Sequence, residues 1–123
     1  MQYAFTAIPD STIPRAQNPL FQHLLDTYAS ESNKVVSTWR EFAAADLDFR
    51  PHPRSSSVRE VLTHQLLSER RFFGQFLGTP EPAPNVVLPP DLDLANAQSR
   101  FVELARKRLD FFALQSESWW LEV

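Results

Sequence analysis

The placement of proline constrains this chain more than any other feature. Its ten prolines are gathered at residues 9–19, 51–53 and 80–90, which leaves 20–50, 54–79 and 91–123 free of them. Proline has no amide hydrogen and clashes with the preceding helical turn, so long helices can form only in the three free stretches. Those stretches carry apolar residues at three- and four-residue steps, and none shows the strict alternation of a half-buried strand. The pattern predicts an all-α fold.

The first helix is expected over 18–45. Asn18 suits the N-cap and Pro19 the first turn. Phe21, Leu24, Leu25, Tyr28, Val35, Val36, Trp39 and Phe42 then form a stripe of about seven turns, roughly 37 Å long. A second helix is expected over 57–77. Ser57-Val58-Arg59-Glu60 has capping-box spacing, Val58, Val61, Leu62, Leu66, Phe73 and Phe76 make an apolar face, and Gly78 is a natural stop. The segment 79–90 reads as a proline-rich linker without regular structure. A third helix is expected over 93–115, burying Leu94, Ala97, Phe101, Leu104, Ala105, Leu109 and Phe112. Residues 1–17 read as an extended N-terminal segment of a single domain, 1–123.

The terminus carries an unusual apolar load. Trp119, Trp120, Leu121 and Val123 fall in the last five residues, where fraying is the rule. They either dock on the helices or pack against something outside this chain.

Hydrophobic residues at 43% fit a packed protein of this length. The absence of cysteine excludes disulfides, thiolate metal sites and a cysteine nucleophile. With 12 Lys and Arg against 15 Asp and Glu, the net charge of -3 gives no electrostatic hold on nucleic acid. No stretch is apolar for long enough to span a bilayer, and the N-terminus lacks a basic region followed by an apolar run, so a cytoplasmic location is expected. The basic pairs and triplets Arg70-Arg71 and Arg106-Lys107-Arg108 read as solvated faces with acidic neighbours on the same helix.

The chemistry-bearing residues are few. No two of His23, His52 and His64 share the i, i+4 spacing of paired ligands on one helix. His23 falls on a flank with Thr27 and Lys34, and His52 lies in a loop between prolines; both read as surface residues. His64 lies at the edge of the second helix's apolar face, next to Val61 and Ser68. Gln65 and Glu69 fall within that face, where a carboxylate is costly unless paired or ligating. Glu69 either meets an arginine such as Arg40 or Arg108 or takes part in a site.

Two stretches resemble a known family. Asn18-Pro19-Leu20-Phe21-Gln22-His23-Leu24-Leu25 is similar to the opening of DinB/YfiT-like proteins. Ser57 to Phe73, SVREVLTHQLLSERRFF, resembles that family's second helix with its xxEVLxHxxxxExxxF pattern. The resemblance implies an up-and-down helical bundle, with three long helices here and the fourth missing or supplied by a partner. It implies a divalent zinc or nickel ion, with His64 matching one ligand and Glu69 a recurrent acidic position. The family's other two ligands, paired histidines on the fourth helix, have no counterpart here. Members include thiol transferases and hydrolases, in which a metal activates water or a thiolate for attack on a small-molecule substrate. Two readings follow: a metal-dependent enzyme lineage with an incomplete site, or a metal-free helical module that dimerises through the face a fourth helix would cover, with the Trp119-Trp120-Leu121 tail as its anchor.

Overall fold

In the computed structural model, which describes residues 3–122, the first helix begins where a polar side chain can satisfy its orphan amides. Asn18 Oδ1 accepts the Leu20 amide at 3.0 Å, Pro19 opens a short 3-10 turn (Pro19–Phe21), and α1 continues over Gln22–Trp39. α1 ends six residues earlier than expected and spans about 27 Å. Asp46 accounts for the difference: its carboxylate takes the Ala43 amide at 2.7 Å, Ala43 becomes extended, and a separate 3-10 turn forms over Ala44–Asp46.

α2 spans Val58–Phe72 with its capping box realised in both directions. Ser57 Oγ accepts the Glu60 amide and Glu60 Oε2 accepts the Ser57 amide, each at 3.2 Å. Arg50 closes over the same carboxylate, Nη2 to Oε1 at 2.5 Å. The helix then widens into one π turn, Phe73–Leu77, and stops at Gly78, whose φ of 67° is left-handed and suits glycine. The linker is more regular than its prolines suggest, because Pro84 opens a one-turn helix, α3 (Pro84–Val87). α4 runs over Leu94–Ala113 and a short α5 over Glu117–Leu121, capped by Ser116. All regular elements among the described residues are helical. No helix there is long and apolar enough to cross a membrane.

Packing divides the chain into two compact units. One comprises Met1–Thr38 with Val102–Val123, the other Trp39–Phe101. In the first unit Ile8, Leu25, Ala29, Ala105 and Leu109 are buried. The apolar tail docks here: Trp120 stacks on Phe21 with ring centroids 5.4 Å apart, and Trp119 meets Phe111 edge-on at 5.8 Å. In the second unit Leu62, Leu66 and Val87 are buried, and Trp39 lies 5.0 Å from Phe101 between ring centroids.

The basic clusters are solvated faces only in part: Arg71 and Lys107 are exposed, and Lys107 pairs with Glu103 of the preceding turn at 3.2 Å, whereas other arginines turn to backbone carbonyls. Arg70 Nε donates to the Pro82 carbonyl at 2.5 Å, Arg59 Nη1 to the Leu92 carbonyl at 2.5 Å, and Arg100 Nη1 to the carbonyls of Val86 and Val87. Arg108 is buried and donates to the Tyr28 hydroxyl at 3.2 Å. Prolines supply no amides, so a proline-rich linker leaves carbonyls whose partners must come from side chains.

Three expectations about stability follow. Ser57→Ala removes the α2 cap and is expected to cost about 1 kcal/mol, or about 4 °C in Tm, in a thermal melt. Ser32 is buried with no hydrogen-bond partner for its hydroxyl among the described residues. Ser32→Ala is therefore expected to be neutral or to stabilise by up to about 1 kcal/mol. The Glu60 carboxyl is held below the usual carboxylate range, first by the Arg50 hydrogen bond and then by the Ser57 amide. Its small contribution is present at neutral pH and is lost as pH falls through the lowered folded value. Urea titrations at successive pH values are expected to show a shallower acid limb for Glu60→Gln.

Candidate functional site

Helical geometry gathers the polar residues of the second-helix motif within two turns of α2. His64, Gln65, Ser68 and Glu69 lie at positions that share neighbouring faces over two turns. His64 is exposed, and its Nε2 lies 3.1 Å from the Ser68 hydroxyl. Gln65 and Glu69 are half-buried, and Gln65 Nε2 donates to Glu69 Oε1 at 3.2 Å. The carboxylate expected within the apolar face thus has an amide of its own helix as one partner.

The other histidines are placed elsewhere. His23 is exposed with Nδ1 3.2 Å from the Leu20 carbonyl. His52 is exposed in a turn, where its Nδ1 accepts the Arg54 amide at 3.1 Å. Among the described residues no group of three or more His, Asp or Glu side chains is placed to hold a metal ion. Zinc and its neighbours take three or four protein ligands. One imidazole beside a neutral hydroxyl does not fit that requirement, so the described side chains do not form a self-contained metal centre.

Instead, the polar row on α2 is bordered by exposed apolar side chains. Val61 is 51% exposed, Phe72 53%, Phe76 69% and Leu77 42%. Phe72 and Phe76 stack with centroids 5.7 Å apart at an interplanar angle of 12°. Two of these residues correct the sequence reading, which placed Val61 and Phe76 on the buried face. Phe76 is displaced because the π turn adds a residue per turn and rotates the side chain outward. Val61 lies one position beyond the arc that Leu62 and Leu66 bury.

An open groove lies elsewhere in the second unit, lined by Arg59, Thr63, Leu88, Pro89, Pro90 and Asp93 among others. Its polar groups already have work: Arg59 pairs with Asp48 at 3.2 Å, and Asp93 Oδ1 accepts the Asn96 amide at 2.8 Å. The α2 face is the stronger candidate, since a stripe of exposed aromatic and aliphatic side chains is what interfaces use.

The sequence reading also passed over Asn33 and Ser37 of α1, and it took Arg106 of α4 for part of a solvated face. Each hydrogen-bonds to the N-terminal segment. The available signal was Asn33 itself, which interrupts the apolar stripe eight residues after Leu25 and three before Val36. No protein-family model matches the chain, no curated protein matches it, and no solved structure matches it, so the DinB-like resemblance stands on the residues quoted for it.

Proposed function

We propose that this chain is a helical interaction module of DinB-like ancestry whose α2 face is covered by a second copy of itself. The observation that carries this reading is the exposed row Val61, Phe72, Phe76 and Leu77. Phe72 and Phe76 stack on each other in solvent, and aromatic side chains exposed together are what interaction sites use. The row's pattern favours a second copy over an unrelated partner. Apolar residues lie at both ends of α2, and the polar pair Gln65 and Ser68 lies between them. A two-fold axis near the small Ser68 would run the helices antiparallel and set Val61 of each copy towards Phe76 of the other. The same face is where the resemblance implies a fourth helix, so a dimer fills the place that helix would take. Trp119 and Trp120, the anchors expected from sequence, are engaged with Phe111 and Phe21 instead.

The enzyme reading rests on the His64 motif. In it, donors from outside this chain would join His64 on the open face, and the bound zinc or nickel would supply an activated water or thiolate. His64 would supply one imidazole nitrogen, with the Ser68 hydroxyl 3.1 Å from its Nε2. Covering of the α2 face is common to both readings.

Analytical ultracentrifugation of the full chain is expected to give a dimer at micromolar concentration and a monomer for Phe76→Asp, with unchanged helicity. A monomer at every concentration of the wild-type chain overturns the proposal. Metal analysis of the same samples separates the readings: one ion per dimer, lost in His64→Ala, supports the enzyme lineage, and a metal-free dimer supports the interaction module.

A further inference from the structure

α2 closes in an unusual way. Its continuation, Phe73–Leu77, is a π turn in which the Gly78 amide bonds the Phe73 carbonyl five residues back. The Thr79 amide reaches the same carbonyl at 3.3 Å, one residue further than the closing bond of an ordinary glycine-terminated helix spans. A π turn is rare and needs a local cause. Phe73, Gln75, Phe76 and Leu77 are all accepted by an α-helix, so the cause lies in what is packed on the turn.

The start of the proline-rich linker, residues 79–82, is packed there. Arg70 Nε donates to the Pro82 carbonyl from the last turn of α2. Thr79 is buried, and its hydroxyl donates to Glu81 Oε2 at 2.7 Å. Glu81 lies against Gly74, where an added Cβ would stand 3.4 Å from Glu81 Cγ. The stretch is therefore tied at both ends, through the Phe73 carbonyl and through Arg70, and it crosses the π turn where glycine leaves room. The turn in its own right places the exposed aromatic pair. In an α-helix, side chains four residues apart are offset by about 40°, because a turn takes roughly 3.6 residues. The wider π turn takes up that offset, and Phe76 lies nearly parallel to Phe72, with centroids 5.7 Å apart at 12°.

We propose that residues 79–82 are a strap that holds Phe73–Leu77 in its π form, and that lifting the strap returns this turn to α geometry. Phe76 then turns off Phe72, towards the arc that Leu62 and Leu66 bury. Arg70 and Gly74 are the positioning residues of this device, one by bonding the strap and the other by making room for it. The α2 face thus has two forms, with and without the stacked pair, and the strap selects between them. Its control of association rests on the α2 face being the contact between copies; its control of the turn and of the ring pair does not.

Through-hydrogen-bond NMR couplings of the full chain name the acceptor of each amide, in monomer and dimer alike. In the wild-type chain the Gly78 amide is expected to couple to the Phe73 carbonyl. Two variants lift the strap by different means: Arg70→Ala removes the bond to Pro82, and Gly74→Leu puts a side chain where Glu81 lies. In each, the Gly78 amide is expected to move to the carbonyl of residue 74, and the nuclear Overhauser contacts between the Phe72 and Phe76 rings are expected to be lost. Couplings within Val58–Phe72 stay unchanged and show that the variant is folded. Retention of Phe73 as the acceptor in either folded variant overturns the proposal, as does survival of the ring contacts after the acceptor has moved. The dissociation constant of the dimer is expected to rise about tenfold in both variants, and an unchanged constant overturns the control of association. A wild-type chain that is monomeric throughout removes the dimer, and the acceptor and ring readouts then decide the strap by themselves.

Discussion

A carboxamide in the middle of α1 sets the terms for the first unit. Asn33 is 1% exposed, and a buried amide that lacks partners costs several kcal/mol relative to water. Its own helix cannot satisfy it, because the backbone groups of that turn already bond one another. The Ile8 backbone supplies one donor and one acceptor, so the segment 3–17 is required where Asn33 is buried. With Ile8 fixed, its side chain fills the space beside α1, and Arg106 reaches the Ala7 carbonyl and the Thr12 hydroxyl. Asn33 thereby makes Ile8 and its neighbours part of the core of the first unit.

The second unit solves a related problem with charge. Its proline-rich linker offers carbonyls without amides, and arginines 59, 70 and 100 donate to them from two helices. A guanidinium suits this task because it presents several donors in a fixed plane and stays charged at any working pH. The linker is thereby ordered enough to bury Val87 and to form α3, which packs on α2. Residues that look like surface charge in the sequence therefore act as backbone partners.

Against these closed surfaces the α2 face is open. Its inner arc buries Leu62 and Leu66, while its outer arc leaves two stacked phenylalanines and a valine in solvent beside His64 and Ser68. Exposed aromatic surface is unfavourable for a monomer, which is why this face and not the engaged tryptophan tail carries the proposed association.

The sequence by itself determined that the chain is helical and roughly where its helices start. Those decisions are local: Asn18 and Ser57 cap through side-chain oxygens a few residues from the amides they accept, proline excludes helix in the linkers, and Gly78 takes a left-handed φ at a helix end. It also placed His64 beside Ser68, since i, i+4 spacing on a helix is a local matter. Helix ends were less legible. α1 stops at Trp39 because the Asp46 carboxylate competes for the Ala43 amide, and no periodicity announces that competition. Tertiary structure alone decided which polar side chains are buried and what they hold. Asn33 meets Ile8 across 25 residues and Arg106 meets Ala7 across 99, and such pairs have no signature in spacing. It also decided that Phe76 faces outward, because the π turn that rotates it arises from how α2 ends and not from the residues' own preferences.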